Sequence, residues 1–369
     1  MKIFIINTDY YSLESFYKQN SSIESLAFKE QYNLRMESFI GTADFYSTNL
    51  RQLGHEAWDV VANLEPLQKK WIKEQGIRVN DYGWNVRLRK GFFPWIYKKK
   101  KDWFYSILKA QIKNFRPDII YSCAIESIGS DFLNSVKDYY GFAIGQHAAS
   151  LNHKDISGYD LILSSLPNQV DYFKNQGINS RLFNLGFESK ILKHLKKDSK
   201  KHDIVFVGGF GKNFKNSTEL IEKIVKKFDF KLWGYGVENL SKESIIRQNL
   251  NGVLYGKEMY QTLMDSKIIF NRHADFAGSF ANNMRLYQST GVGSLLLTDK
   301  KRNLSNIFHE NKELCTYSNV DDCLEKIEYY LDNEEDREKI AYAGQARCLD
   351  EHTWYNRMEE LLSIIKNIL

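Results

Sequence analysis

Proline is scarce, four in 369 residues, which is too few for a proline-rich linker or a low-complexity chain. Cysteine is equally scarce. The four, Cys123, Cys315, Cys323 and Cys348, show no paired metal-ligand spacing and are too thinly spread for a disulfide scaffold, so reduced thiols in a cytosol are the expectation. No run approaches the ~18 apolar residues that a membrane-crossing helix needs, and the stretch IFIIN after Met1 and Lys2 is far shorter than a signal-peptide core. A P-loop, G-x-x-x-x-G-K-[ST], is also missing, which disfavours ATPases and kinases of that type. Charge is not one-sided: 51 Lys and Arg against 46 Asp and Glu leave +5, an excess that by itself names no nucleic-acid or membrane partner.

What is present is the composition of an ordinary folded chain, 43% hydrophobic and 26% charged, long enough for two domains with a core each. Short apolar runs alternate with amphipathic stretches from end to end, the pattern of parallel strands crossed by helices, so the fold class is α/β. In the first half, strands are expected at 2–7, 56–61, 118–122, 142–146, 161–164 and 181–184, with helices at 42–53, 102–115 and 167–175. The polar, basic stretch KILKHLKKDSKKH, 190–202, breaks the rhythm. Strands are then expected at 203–207, 230–233, 253–255, 267–271 and 294–298, with helices at 218–228, 321–331, 334–349 and 354–368. The expected organisation is a first domain over 1–195, a second over 203–350, and a final helix within 351–369 that packs back on the first.

Open parallel sheets bind ligands beyond the carboxyl ends of their strands, and two such domains in tandem form a cleft. The candidate positions therefore follow strands: Asp9, Glu126 and His147 in the first half, and Gly208-Gly209 and Arg272-His273 in the second. The stretch VGGFGKNFKNS, 207–217, could bring bare backbone N–H groups and Lys215 to a phosphate, or be an ordinary tight strand-to-helix turn. It is not a dinucleotide fingerprint, because Phe214 stands where G-x-G-x-x-G needs its third glycine, and this disfavours a nucleotide-dependent oxidoreductase. From Asn282 the sequence reads as a helix ending at Gly291. A helix start of this kind offers unpaired N–H groups and a positive dipole to a diphosphate. Arg285 in its first turn adds a bidentate cation, and Gln288 lies one turn on.

These residues carry a resemblance. VFVGG at 205–209, LYGKEMYQTLMDSKIIFN at 254–271, NNMRLYQSTGVGSLLLTD at 282–299 and AYAGQARCLDEHTWYNRM at 341–358 resemble the group 1 glycosyltransferases of the GT-B fold, in their CgeB-like, spore-maturation-type branch. The resemblance covers nearly all of the second domain and only the general pattern of the first. It implies two Rossmann-like parallel-sheet domains facing across a cleft, with a nucleotide-diphosphate sugar, UDP-sugar favoured, bound by the second domain and an acceptor by the first. The donor would be held by Gly208, Gly209, Lys215, His273, Asn283, Arg285 and Gln288, the last standing where relatives commonly carry a ribose-binding glutamate. His147, Glu126 and Asp9 are the candidate catalytic groups. No D-x-D occurs, which fits a metal-independent transfer to a glycan, lipid-linked or protein-linked acceptor in surface polysaccharide or glycoprotein assembly. Gln288 also admits a second class of protein, a module that binds nucleotide sugar or glycan without turnover.

Between Arg87 and Lys101 lie seven Lys or Arg and no acid, interleaved with aromatics. Across residues 84–105 this mixture suits an anionic membrane surface and equally an insertion with inward-packed rings, and nucleic acid is not expected. The location read from the sequence is the cytoplasm, at the inner face of the membrane if that stretch docks there.

Overall fold

The computed structural model describes residues 1–9, 16–17, 21–78, 82–87, 95–100, 103–149, 151, 155–210, 214, 218–281 and 283–368. Two parallel sheets carry the fold. The first contains β1 (Lys2–Asn7), β2 (Glu56–Val61), β5 (Ile119–Ser122), β6 (Phe142–Gln146), β7 (Leu161–Ser164) and β8 (Ser180–Leu182), in the order β2-β1-β5-β6-β7-β8. The second contains β9 (His202–Gly209), β10 (Phe230–Tyr235), β11 (Ser266–Asn271), β12 (Leu295–Asp299) and β13 (Cys315–Tyr317), in the order β10-β9-β11-β12-β13. Between the last strand of one and the first of the other lies the basic stretch that interrupts the sequence pattern. An antiparallel pair, β3 (Tyr82–Arg87) with β4 (Trp95–Lys100), makes a two-stranded sheet of its own. The side chains of that pair, and with them most of the basic aromatic stretch, lie outside the described residues.

The chain divides into two compact units. One comprises Met1–Glu37, Thr42–Gln146 and Asn152–Leu161, the other Ser38–Gly41, His147–Leu151 and Ile162–Leu369. In the first unit β1 runs as four consecutive fully buried residues, Ile3 to Ile6, because a central parallel strand is covered on both faces. Within β2 the Asp59 side chain, wholly buried, accepts from the Asn7 amide at the end of β1 at 2.8 Å and from the Ser47 N–H at 2.7 Å, so its polar atoms are met inside the protein.

In the second unit Ile204, Phe206, Leu232, Ile268, Phe270, Leu295 and Leu297 form the sheet's contribution to one apolar core, against Ile221 and Ile224 of the helix Thr218–Lys227. Residues 253–255 do not form a strand. The chain there touches β10 through one bridge, Leu250 with Leu232, and the left-handed Gly252 (φ +97°) and Gly256 (φ +54°) then turn it into the helix Gly256–Met264. Among the described residues no helix is long and apolar enough to cross a membrane.

The last helix, Trp354–Lys366, is started by Thr353, which shares a capping box with Asn356, and is tied to Phe187 by a parallel bridge to Thr353. His352 precedes it. Burial pushes this imidazole down to about 4, against the raising effect of its hydrogen bond to the Ile307 carbonyl, with Arg357 lowering it further. A base depressed below its unfolded value of ~6.5 contributes stability that is complete above that pH and is lost as pH falls towards 4, an effect of about 3 kcal/mol. His352→Gln, which keeps one donor and one acceptor, should therefore flatten the fall of the urea midpoint between pH 7.5 and 4.5. Equal slopes in the two proteins would remove this assignment.

Candidate functional site

β9 ends in two glycines for a packing reason. A Cβ on Gly208 would stand 2.7 Å from the Phe206 ring, and one on Gly209 would stand 3.1 Å from Phe214 and 3.2 Å from Tyr235. Arg272, the residue after β11, ties the end of β9 to Phe214. Its guanidinium, 3% exposed, donates to the Gly209 carbonyl at 2.7 Å and the Phe214 carbonyl at 2.9 Å, and lies over the rings of Phe206, Phe210 and Phe214 at 5.2, 5.6 and 4.8 Å. Burial lowers it to about 10, and Tyr317, Asp275 and Asp299 oppose that, so it stays a cation at neutral pH. Sequence reasoning marked Arg272 as following a strand but gave it no role. Lys215 lies outside the described residues.

The helix after β11 runs Met284–Gly291, so it starts later than the helix expected from Asn282. Asn283 is its N-cap: the side-chain oxygen accepts from the Leu286 N–H at 3.2 Å, while the amide nitrogen donates to Asn271 at 3.0 Å and to the Arg272 carbonyl at 3.1 Å. The cap thus anchors the helix start to the end of β11, beside the residue that ties the end of β9 to Phe214. Asn283 and Met284 are half-buried, so the start is neither sealed in the core nor fully out in water.

Arg285 reaches back from this helix to the end of β9. Its Nη2 donates to the Val207 carbonyl at 2.9 Å, and Nη1 lies 3.5 Å from the Met259 sulfur. The residue as a whole keeps some exposed surface, but its Nε is sealed from water without a partner among the described residues. Burial of the head group lowers it to about 10, opposed by the nearby phenols of Tyr260 and Tyr235 and by no carboxylate. A guanidinium carries five N–H donors. Here one meets a carbonyl and one a thioether, and among the described residues no acid balances the charge. Gln288, 6% exposed, lies one turn along on the same side and donates to the Tyr260 hydroxyl at 3.1 Å.

His273 is buried, with its Nδ1 2.7 Å from Asp299 Oδ1 and its backbone N–H donating to the same oxygen at 3.0 Å. Burial would raise Asp299, but the hydrogen bond from His273, its charge and that of Lys301, at 3.1 Å, hold the carboxyl below the usual range. The carboxylate makes Nδ1 the donor, and Nε2 is buried with no partner among the described residues. The pairing needs β11 and β12 to be neighbours, a fact of topology that the sequence alone does not state.

In the first-half positions, Asp9 follows β1 and is ion-paired at 2.6 Å with Arg35, itself 1% exposed, while its backbone exchanges hydrogen bonds with Asn63. Glu126 is exposed in the turn after β5. His147 is half-buried directly after β6, its backbone N–H donating to the Leu163 carbonyl at 2.9 Å. No group of three His, Cys, Asp or Glu that could hold a metal occurs among the described residues.

Residues 215–363 match the family model described as glycosyl transferase-like. No curated protein sequence matches the chain. Among solved structures the chain is similar to sucrose-phosphate synthase from Thermosynechococcus elongatus, at 10% identity, covering 100% of this chain and 99% of that one, with a TM-score of 0.58. It is similar to the Anabaena protein HepE in complex with UDP-glucose, at 8% identity, 100% of both chains and a TM-score of 0.59. A glycosyltransferase from Rickettsia africae shares 12% identity over 100% of this chain and 98% of its own, with a TM-score of 0.55. The chain therefore has the two-domain, Rossmann-like GT-B fold, and its stretch 215–363 is glycosyl transferase-like in sequence.

Proposed function

We propose that the protein is a glycosyltransferase that takes a sugar from a nucleotide-diphosphate donor, UDP-sugar favoured, and that its second unit holds the donor. The observation that carries this is the guanidinium of Arg285, buried with no carboxylate to balance it among the described residues, beside the two glycines that end β9 and a capped helix start. An unbalanced buried cation is costly in the free protein, and a diphosphate would supply both charge and acceptors. In this reading the backbone at Gly208 and Gly209, the helix start at Asn283, and Lys215 surround the phosphates. Gln288 meets the ribose, and His273, oriented by Asp299, turns Nε2 towards the donor.

As the glycosidic bond to the diphosphate breaks, negative charge grows on the leaving oxygen, and a preorganised cation with a helix dipole stabilises it without a resident metal. Of the first-half residues, His147 and Glu126 are proposed to serve the reacting sugar and the acceptor hydroxyl, and Asp9 to hold its loop through Arg35. The CgeB-like branch, a glycan, lipid-linked or protein-linked acceptor, a place in surface polysaccharide or glycoprotein assembly, and membrane contact through residues 84–105 belong to the same proposal. HepE, solved with UDP-glucose, supports the choice of UDP.

A second reading rests on Gln288, whose amide is engaged by Tyr260 where a carboxylate would bring charge: a module that binds donor without turnover. Incubation with labelled UDP-sugars and an acceptor extract separates the two. Label appearing in product, or as free sugar from slow hydrolysis, is the expected result. In a thermal-shift comparison, UDP at about 100 times its dissociation constant should stabilise the unit by about 2.7 kcal/mol, several degrees in melting temperature. No shift with any nucleoside diphosphate would overturn the donor assignment.

A further inference from the structure

Within the first unit, between the start of the helix Trp103–Phe115 and the segment after β5, lies a cavity of about 370 Å³ that the donor reading leaves unused. Its wall includes Tyr105 and Phe132, whose rings lie 5.4 Å apart with planes 33° from parallel. The Tyr105 hydroxyl donates to the Ser127 carbonyl at 2.8 Å, which fixes the ring while leaving it 36% exposed. The rest of the wall is Ser127, Gly129, Ser130 and Ser135 with two carboxylates, Asp131 and Asp155, both of which are exposed to water. Asp155 is kept in its ionised form by hydrogen bonds from the backbone and side chain of Ser157 and from Ser130, which hold its carboxyl below the usual range. Among the described residues no Lys, Arg or His lines the cavity directly; a neighbouring cation is Lys109, whose ammonium donates to the carbonyl of Ser135 in the wall at 2.7 Å.

We propose that this cavity binds a saccharide, neutral or amine-bearing, with one sugar face on the Tyr105 ring and its hydroxyls or amine on Asp131, Asp155 and Ser130. Each part of the wall selects for that class. A fixed, half-exposed aromatic ring offers an apolar face with a wet edge, which suits the C–H face of a pyranose. Carboxylates accept only, and so take O–H and N–H donors, which a polyol or amino sugar supplies in quantity. Among the described residues the wall carries two carboxylates against one neighbouring cation, Lys109, so it disfavours phosphate, sulfate and uronate and differs from the donor site in sign. The volume falls in the ~300–1,000 Å³ range of small-molecule sites, at its small end, which fits one or two sugar rings. The inference rests on the transferase reading only for the ligand's role as acceptor; the binding chemistry stands on the wall itself.

The test is a titration of the full chain with maltotriose, chitotriose, its deacetylated form and sialyllactose, with UDP titrated in parallel. The neutral or amine trisaccharides should bind and the sialylated one should not. Tyr105→Ala should weaken binding by about tenfold or more, Tyr105→Phe should retain most of it, and Asp155→Asn should weaken the deacetylated probe more than the neutral ones. UDP affinity should be the same in all. Absence of binding by all the neutral and amine probes, equal binding by sialyllactose, or a native-like Tyr105→Ala overturns the inference. If UDP still binds in that case, the donor reading is untouched. If UDP does not bind while the trisaccharides do, the donor reading fails and the cavity assignment stands.

Discussion

Replacing Arg285 with methionine should weaken UDP binding by about 100-fold while leaving the free protein as stable as the native one or slightly more so. The two halves of this result have separate causes. A charge-assisted contact to phosphate contributes about 1.5–3 kcal/mol, and a forked guanidinium makes more than one. In the free protein the same group is a buried cation whose hydrogen-bond partners among the described residues are the Val207 carbonyl and the Met259 sulfur. Replacing a buried charge by an apolar side chain of similar length is often neutral or stabilising, set here against the loss of one bond to a carbonyl, about 1 kcal/mol. Isothermal titration and urea unfolding measure the two quantities. A large loss of stability with UDP affinity unchanged would make Arg285 a structural residue and remove it from the site.

The second large effect is at Gly234. It sits opposite Gly208 across the β10–β9 pair, and its N–H donates to the Gly252 carbonyl at 2.7 Å. An added Cβ would stand 1.9 Å from the Gly208 carbonyl oxygen and 3.0 Å from a ring atom of Phe210. Neither the backbone of β9, which is paired on both sides, nor a packed ring can yield that much space, so Gly234→Ala should cost about 3 kcal/mol or more, visible as a lower urea midpoint. The displaced atom belongs to the glycine end of β9, which the donor reading sets beside the phosphates. The variant should therefore also lose UDP affinity under conditions where it is still folded. Native-like stability would mean that the two strands can part, and the close approach would lose its meaning.

Much of the architecture was legible in the sequence because buried parallel strands are short continuous apolar runs. The runs at 2–7, 56–61, 142–146 and 161–164 are the strands of the first sheet at those positions. Cys315–Tyr317 escaped because three residues carry too little pattern, and it is an edge strand that needs only one neighbour. The stretch 253–255 misled because Val, Leu and Tyr favour strands, whereas the left-handed glycines on either side decide its path. The antiparallel pair at 82–87 and 95–100 escaped because its lysines and aromatics read equally as a membrane-facing stretch or as an insertion with inward-packed rings.

The candidate site was legible in part. Glycines after a strand and an Arg in the first turn of a helix are sequence signals. The absence of a balancing acid around Arg285 among the described residues is not, because burial and distance decide which charges meet. Arg272 was beyond reach for a similar reason. Phe206, Phe210 and Phe214 recur every four residues in the sequence, but only the order of β9 and β11 brings the guanidinium onto their faces. Asp299, which orients His273, is 26 residues away and adjacent only through the β11–β12 pair.

The most direct measurement is a calorimetric comparison of UDP with uridine on the native protein. If Arg285 and the helix start at Asn283 grip the diphosphate, UDP should bind at least about 100-fold more tightly than uridine, a difference of roughly 2.7 kcal/mol that resides in the phosphates. Equal affinities for the two, or no binding of either, would contradict the account at its centre.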